Sequence, residues 1–192
     1  DGYFVLPYTV SNYLADEIRT GKISTDAPEF AEAEKNVKDS INMFLNNNGT
    51  KSVDYFHKRL GHVMWNKVGM ARNEQGLKEA IAEIGQIRDE FYKEVYVPGN
   101  ADELNPELEK ALRVADFLEL GQLMAMDALQ RNESCGGHFR EEYQTEEGEA
   151  LRDDENFKYV AAWEYKGEPK EAQLHKEDLE FKNIELKTRS YK

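Results

Sequence analysis

Between residues 28 and 132 apolar side chains recur at spacings of three and four, interrupted by capping and turn residues. That spacing matches the turn of an α-helix and not the two-residue alternation of a strand, so this stretch can fold only as amphipathic helices. The first runs over 28–48. It opens on Pro28, whose missing N–H has no partner to lose in a first helical turn. Phe30, Ala33, Val37, Ile41 and Phe44 or Leu45 form its stripe, and Asn48-Gly49 closes it, with glycine suited to a left-handed cap. Ser52 caps the next, Val53 to about Val68, striped by Val53, Phe56, Leu60, Met64, Trp65 and Val68. Asn73 caps a third, Glu74 to about Val95, lined by Leu77, Ile81, Ile84, Ile87 or Arg88, Phe91 and Val95. Asn105-Pro106 opens a fourth that reaches about Asn132. Its ALRVADFLELGQLMAMDAL (111–129) is apolar on nearly every side, as in a helix at the centre of a bundle or against a larger partner.

The flanks differ. Upstream, Pro7 to Thr20 reads as one helix with Val10, Tyr13, Leu14 and Ile18 on a face, stopped by Gly21. The chain starts without Met, and its first residues, YFVLPYTV, are unusually apolar, which reads as a cut through a larger protein. Downstream, Gly136-Gly137 breaks the long helix, and residues 141–155 are acidic and irregular. Phe157 to Tyr165 alternates weakly, 166–169 turns, and a second strand is expected near 170–176. The polar tail, 180–192, reads as an edge strand or as irregular chain. The expected fold is mainly α: an antiparallel helical bundle of three long helices (53–68, 74–95 and 106–132) with flanking helices, then a small C-terminal β-hairpin. Three divisions follow: a linker and helix over 1–27, the bundle over 28–135, and the acidic loop, hairpin and tail over 136–192.

Composition removes several functions. Lys and Arg total 25 against 38 Asp and Glu, a net charge of −13, which disfavours nucleic acid and anionic membrane surfaces as partners. No apolar run is long enough for direct membrane insertion. The single cysteine, Cys135, rules out an internal disulfide and a Cys-rich zinc site. No GxGxxG or GxxxxGK[ST] occurs, so neither phosphate cradle is present. Asp54 and His57 imitate half of a bundle metal site without a second pair, so no metal is expected. Cys135 lies at the negative end of a helix, which disfavours a thiolate, and Ser134 or Cys135 with His138 is a local cluster rather than an oriented triad.

The segment that stands out is RNESCGGHFREEY (131–143). Arg131, Glu133, His138 and Arg140 crowd around a double-glycine break. Either the arginines pair with Glu133, Glu141 or Glu142 and fix the turn, or the turn presents Arg and His to a neighbouring surface. Arg131, Glu133, Ser134, Cys135, Gly136, Gly137, His138 and Arg140 are the interface candidates.

MWNKVGMARNEQGLKEAI (64–81), LELGQLMAMDALQRNES (118–134), GGHFREEY and RDDENF (152–157), in that order and before a short hairpin, resemble the C-terminal region of the succinate dehydrogenase/fumarate reductase flavoprotein subunit. L-aspartate oxidase is the more distant relative. The family hexapeptide ESRGAH is ESCGGH here, with Cys135 for Arg and Gly137 for Ala, and QTEEGEAL (144–151) lengthens the loop that follows. The resemblance implies FAD in an upstream Rossmann-type domain and hydride transfer between flavin and a dicarboxylate. It implies a helical C-terminal domain that packs on the flavin-binding and capping domains and faces an iron–sulfur subunit, peripheral on the cytoplasmic face of a membrane. It implies no catalytic, cofactor-binding or metal residue in these 192, and a structural and docking role. Two other readings remain open: a stand-alone helical module that recruits a protein through 131–155, and a bundle metal enzyme.

Overall fold

The computed structural model describes residues 2–187, which divide into two compact units between Ser40 and Ile41. In the first unit the helix expected over Pro7 to Thr20 is broken. A short helix α1 (Val5–Tyr8) passes into a π turn at Thr9–Tyr13, and a 3-10 turn follows at Glu17–Arg19. Leu14 N–H donates five residues back to Thr9 O at 2.9 Å, and the Thr9 hydroxyl donates to Val5 O at 2.8 Å. Side-chain bonds of that kind compete with a regular helix. None of these residues is buried, so no packing supports a helix this short.

Helix α2 (Pro28–Leu45) ends three residues before the expected limit, and only Phe44 of its stripe is buried. Phe30 and Val37, expected to be covered, are exposed. Phe44 lies against Phe91 and Tyr92 with ring centroids 5.5 and 6.0 Å apart. Gly49 corrects a second expectation. Its φ is not positive, so it is not a left-handed cap. A Cβ there would lie 2.2 Å from the Glu94 carbonyl carbon and oxygen and 2.5 Å from Val95 O, so glycine is required by close approach. That approach lets β1 (Lys51–Ser52) pair in parallel with β2 (Val95–Tyr96), a contact with no local sequence signal.

The remaining helices follow their caps. Ser52 Oγ accepts from Tyr55 N–H at 3.2 Å and opens α3 (Val53–Lys67). Asn73 Oδ1 accepts from Gly76 N–H at 2.8 Å and opens α4 (Glu74–Glu94). Asn105 Oδ1 accepts from Leu108 N–H at 3.0 Å and opens α5 (Pro106–Gln130). Lys67 pairs with Glu79 and Glu83 while Arg59 pairs with Glu90, so α3 and α4 run in opposite directions. Lys110 reaches Asp54 and Phe117 meets His57, so α5 runs with α3. Phe56, Leu60, Leu77, Ile84, Ile87, Phe91, Val114 and Leu118 fill the space between them. The side of α5 along its groove with α3 stays partly open, with Phe117, Leu120 and Met124 exposed.

After a short turn α6 (Asp154–Phe157), β3 (Tyr159–Glu164) pairs antiparallel with β4 (Gln173–Asp178), from Tyr159↔Asp178 to Glu164↔Gln173. The second strand starts later than expected because Pro169–Glu171 form a 3-10 turn. The Trp163 indole N–H donates to Asp127 Oδ1 at 2.8 Å, and Arg88 pairs with Glu168 at 2.9 Å, which ties the hairpin to α5 and α4. The described residues are therefore mainly helical, with a small hairpin near the C-terminal end. Residues 179–187 form no regular element, and the rest of the polar tail lies outside the described residues.

Candidate functional site

A helix ends with carbonyls that have no partner inside the helix. At the end of α5 a buried guanidinium supplies one. Arg140 is 1% exposed, and its Nη1 donates to Ala128 O at 3.0 Å and Leu129 O at 3.2 Å. Its positive charge also suits the negative end of the helix dipole. Nε donates to Glu142 Oε2 at 3.1 Å, and the plane sits 5.5 Å from the Tyr143 ring centroid. The other oxygen of Glu142 accepts from Glu74 N–H at the start of α4. Burial alone would raise the Glu142 carboxyl. The backbone N–H groups of Glu74 and Glu142 and the Arg140 guanidinium outweigh it and hold the group below its ordinary value. One ion pair thus joins the last turn of α5 to the first turn of α4.

Backbone bonds reinforce the joint. Arg72 N–H donates to Phe139 O at 3.1 Å, and Glu141 N–H donates to Arg72 O at 2.8 Å. Asn73 Nδ2 donates to Glu141 Oε2 at 2.8 Å. Ser134 is fully buried; its hydroxyl accepts from Arg140 N–H at 2.8 Å and donates to Arg140 O at 3.2 Å. Glu133 is 2% exposed and accepts from Arg131 Nη1 at 2.6 Å and from Asp153 N–H at 2.9 Å. Arg131 donates further to Phe157 O and Tyr159 O and lies 4.9 Å from the Tyr159 ring centroid. It links the turn to the entrance of the hairpin.

Cys135 and His138 exchange backbone bonds of 2.8 and 3.0 Å around Gly136, whose φ of +58° suits glycine. Cys135, Gly136 and Gly137 form an exposed tip, and His138 is half-buried beneath it. Arg72 Nη1 donates to His138 Nδ1 at 3.0 Å, and His138 Nε2 lies 2.9 Å from Arg131 O. An arginine can only donate, so the ring is neutral, with its proton on Nε2. Burial lowers the His138 pKa. The bond to Arg131 O opposes this, and the charges of Arg72, Arg140 and Arg131 add to the lowering.

The eight candidates are therefore brought together but face different ways: Glu133, Ser134 and Arg140 inward, Arg131 and His138 half-covered, Cys135, Gly136 and Gly137 outward. Both arginines pair as the turn-fixing alternative requires, Arg131 with Glu133 and Arg140 with Glu142. Sequence reasoning missed Arg72, which meets the turn from the loop between α3 and α4. Its only local signal was its place beside the cap residue Asn73. Among the described residues no group of three or more His, Cys, Asp or Glu is arranged to hold a metal. His57 packs on Phe117, and Asp54 pairs with Lys110.

The chain is 30% identical over 156 residues to a fumarate reductase flavoprotein subunit of Helicobacter pylori, covering 80% of this chain and 21% of that protein. It therefore spans about a fifth of that relative's length. A solved structure of quinol-fumarate reductase with menaquinol molecules superposes with a TM-score of 0.70 at 22% identity, over 88% of this chain and 28% of that one. The Mycobacterium smegmatis Sdh1 complex in the apo form gives 0.65 at 23%, over 84% and 26%. At those identities the two structures establish the fold alone. Residues 57–191 match the family model described as fumarate reductase flavoprotein C-term, and the chain belongs to that family.

Proposed function

We propose that this chain is the helical C-terminal part of a flavin-dependent subunit that interconverts succinate and fumarate, and that its own task is structural: to hold and dock. The carrying observation is the family match over 57–191 together with the chemistry of the turn. There Arg131, Glu133, Ser134, Arg140 and Glu142 are already engaged with one another. Groups committed to internal partners are poor candidates for binding a reacting dicarboxylate.

The described residues do not fit FAD. Positive-φ glycines occur at 99, 136, 148 and 167, in separate turns, and the adjacent pair Gly136-Gly137 opens no helix whose N-terminus could meet a pyrophosphate. No step through flavin is assigned to this chain. In this reading FAD belongs to the upstream part of the subunit, and residues 1–27 lead out of it. The helices over 28–135 pack on the flavin-binding and capping parts. The iron–sulfur subunit is the further partner, and association with the cytoplasmic face of a membrane runs through partner subunits. No helix among the described residues is long and apolar enough to cross a membrane.

The test uses two purified proteins. The full-length gene product is expected to show the visible flavin spectrum and to reduce fumarate with a reduced viologen dye. Residues 1–192 alone, mixed with FAD and passed through a desalting column, are expected to show neither. A stoichiometric flavin spectrum in the short chain, or its absence from the long one, overturns the reading. Turnover of L-aspartate in place of fumarate by the long chain would assign it to the more distant branch.

A further inference from the structure

We propose that Arg72 anchors the docking of this chain onto the flavin-binding part of the same subunit, and that its partner there is an aspartate or glutamate set among apolar side chains. The proposal rests on the reading above and adds the contact that makes the joint. Arg59, Arg88, Arg113, Arg131, Arg140 and Arg152 each hold a carboxylate. Arg72 is half-buried, and no carboxylate among the described residues pairs with it. Its Nε donates to Gly69 O at 3.0 Å and its Nη1 to the neutral His138 ring. Neither acceptor offsets its charge. Burial depresses its pKa; Asp127 opposes this without pairing with it, and the charge of Arg140 adds to the lowering. A partly desolvated cation with no carboxylate in contact is costly, and an incoming carboxylate lowers that cost.

The surroundings select the kind of carboxylate. Arg72 lines a concavity with Trp65, Val68, Met70 and Gly137. Trp65 is 83% exposed and Met70 is 90% exposed, so both leave a large apolar surface open in that concavity. A small free anion would leave them in water. A protein surface would cover them, and Trp, Met and Arg are the residues enriched at the centres of interfaces. Glu133 pairs with Arg131 and Glu142 with Arg140, which leaves Arg72 without an ion pair beside this turn. Two bonds fix the plane of the fork, so its remaining N–H groups are oriented before the partner arrives.

A zero-length carbodiimide joins a lysine only to a carboxylate in contact with it. The full-length subunit carrying R72K is treated with the reagent, digested and read by mass spectrometry. The expected product joins position 72 to one Asp or Glu in the flavin-binding part. R72Q should lose that product, a drop of at least tenfold in yield. Should R72K fail to fold, Met70→p-benzoylphenylalanine shows by light which segment covers the concavity, and the segment it joins is expected to carry an Asp or Glu; a side chain so exposed tolerates the replacement. Coupling only within residues 41–187, coupling to a different polypeptide, or no coupling overturns the proposal. Flavin content of the same sample separates the two claims. Flavin without the cross-link refutes the anchor and leaves the functional reading. The cross-link to upstream residues without flavin does the reverse.

Discussion

Arg140 shows how much a single side chain can hold. It meets two carbonyls at the end of α5 and, through Glu142, the first N–H of α4. R140A would strand both ends and leave Glu142 uncompensated. A loss of about 3 kcal/mol of unfolding free energy is expected, at the low end for a broken buried pair because Glu142 is partly exposed. Urea denaturation measures it, and a loss under about 1 kcal/mol would mean the pair is not what closes the turn. His138 gives a pH signature with a definite sign. Its folded pKa lies below the ordinary 6.5, so the unfolded chain binds the proton more readily. Its stabilising contribution is complete above 6.5 and is lost as pH falls from there to the lowered folded value. Glu142, also depressed, acts in a separate window below its ordinary 4.5. H138Q keeps an acceptor for Arg72 and a donor for Arg131 O but cannot titrate. Stability against pH should flatten in the upper window alone, and an unchanged slope there would exclude His138 as its source. Pairing of these charges was legible as one of two alternatives in 131–143. The partners Arg72, Glu74 and Asp153 were not, because folding brings them from distant positions and no local pattern marks them.

At the scale of elements, the caps and stripes were legible because they act over three or four residues. Ser52, Asn73 and Asn105 open helices where the sequence placed them. Features set by distant backbone were not. Over residues 5–20 the apolar period is present, yet uncovered side chains and hydroxyl back-bonding break the helix. The parallel pairing of β1 with β2 joins residues 44 positions apart, Lys51 with Val95, and its requirement appears only as the absent side chain of Gly49. G49A tests that requirement. The obstructing atoms are backbone, which cannot swing aside, so about 2 kcal/mol or more of destabilisation is expected, at the upper part of the overpacking range. Thermal unfolding followed by circular dichroism reads it. A variant as stable as the parent would show that the β1–β2 approach yields easily and that Gly49 is not what permits it.

Over the whole molecule, burial is uneven. The core lies within 41–187, among α3, α4, α5 and the end of α2. Among residues 2–27 none is buried, although Tyr3, Phe4, Leu6, Tyr8, Tyr13 and Ile18 are large and apolar. Removing 2–27 therefore takes no buried side chain away, and the unfolding free energy of the remainder should stay within about 0.5 kcal/mol of the parent. The same deletion removes much of the exposed apolar surface, a cause of self-association in chains lacking their partner. Binding of a hydrophobic dye should fall, and sedimentation should shift toward the monomer at high concentration. If the unfolding free energy drops by several kcal/mol instead, the segment supports the core directly. Its apolar character would then need no partner, and the case for a docked neighbour would rest on Trp65, Met70 and the open side of α5 alone.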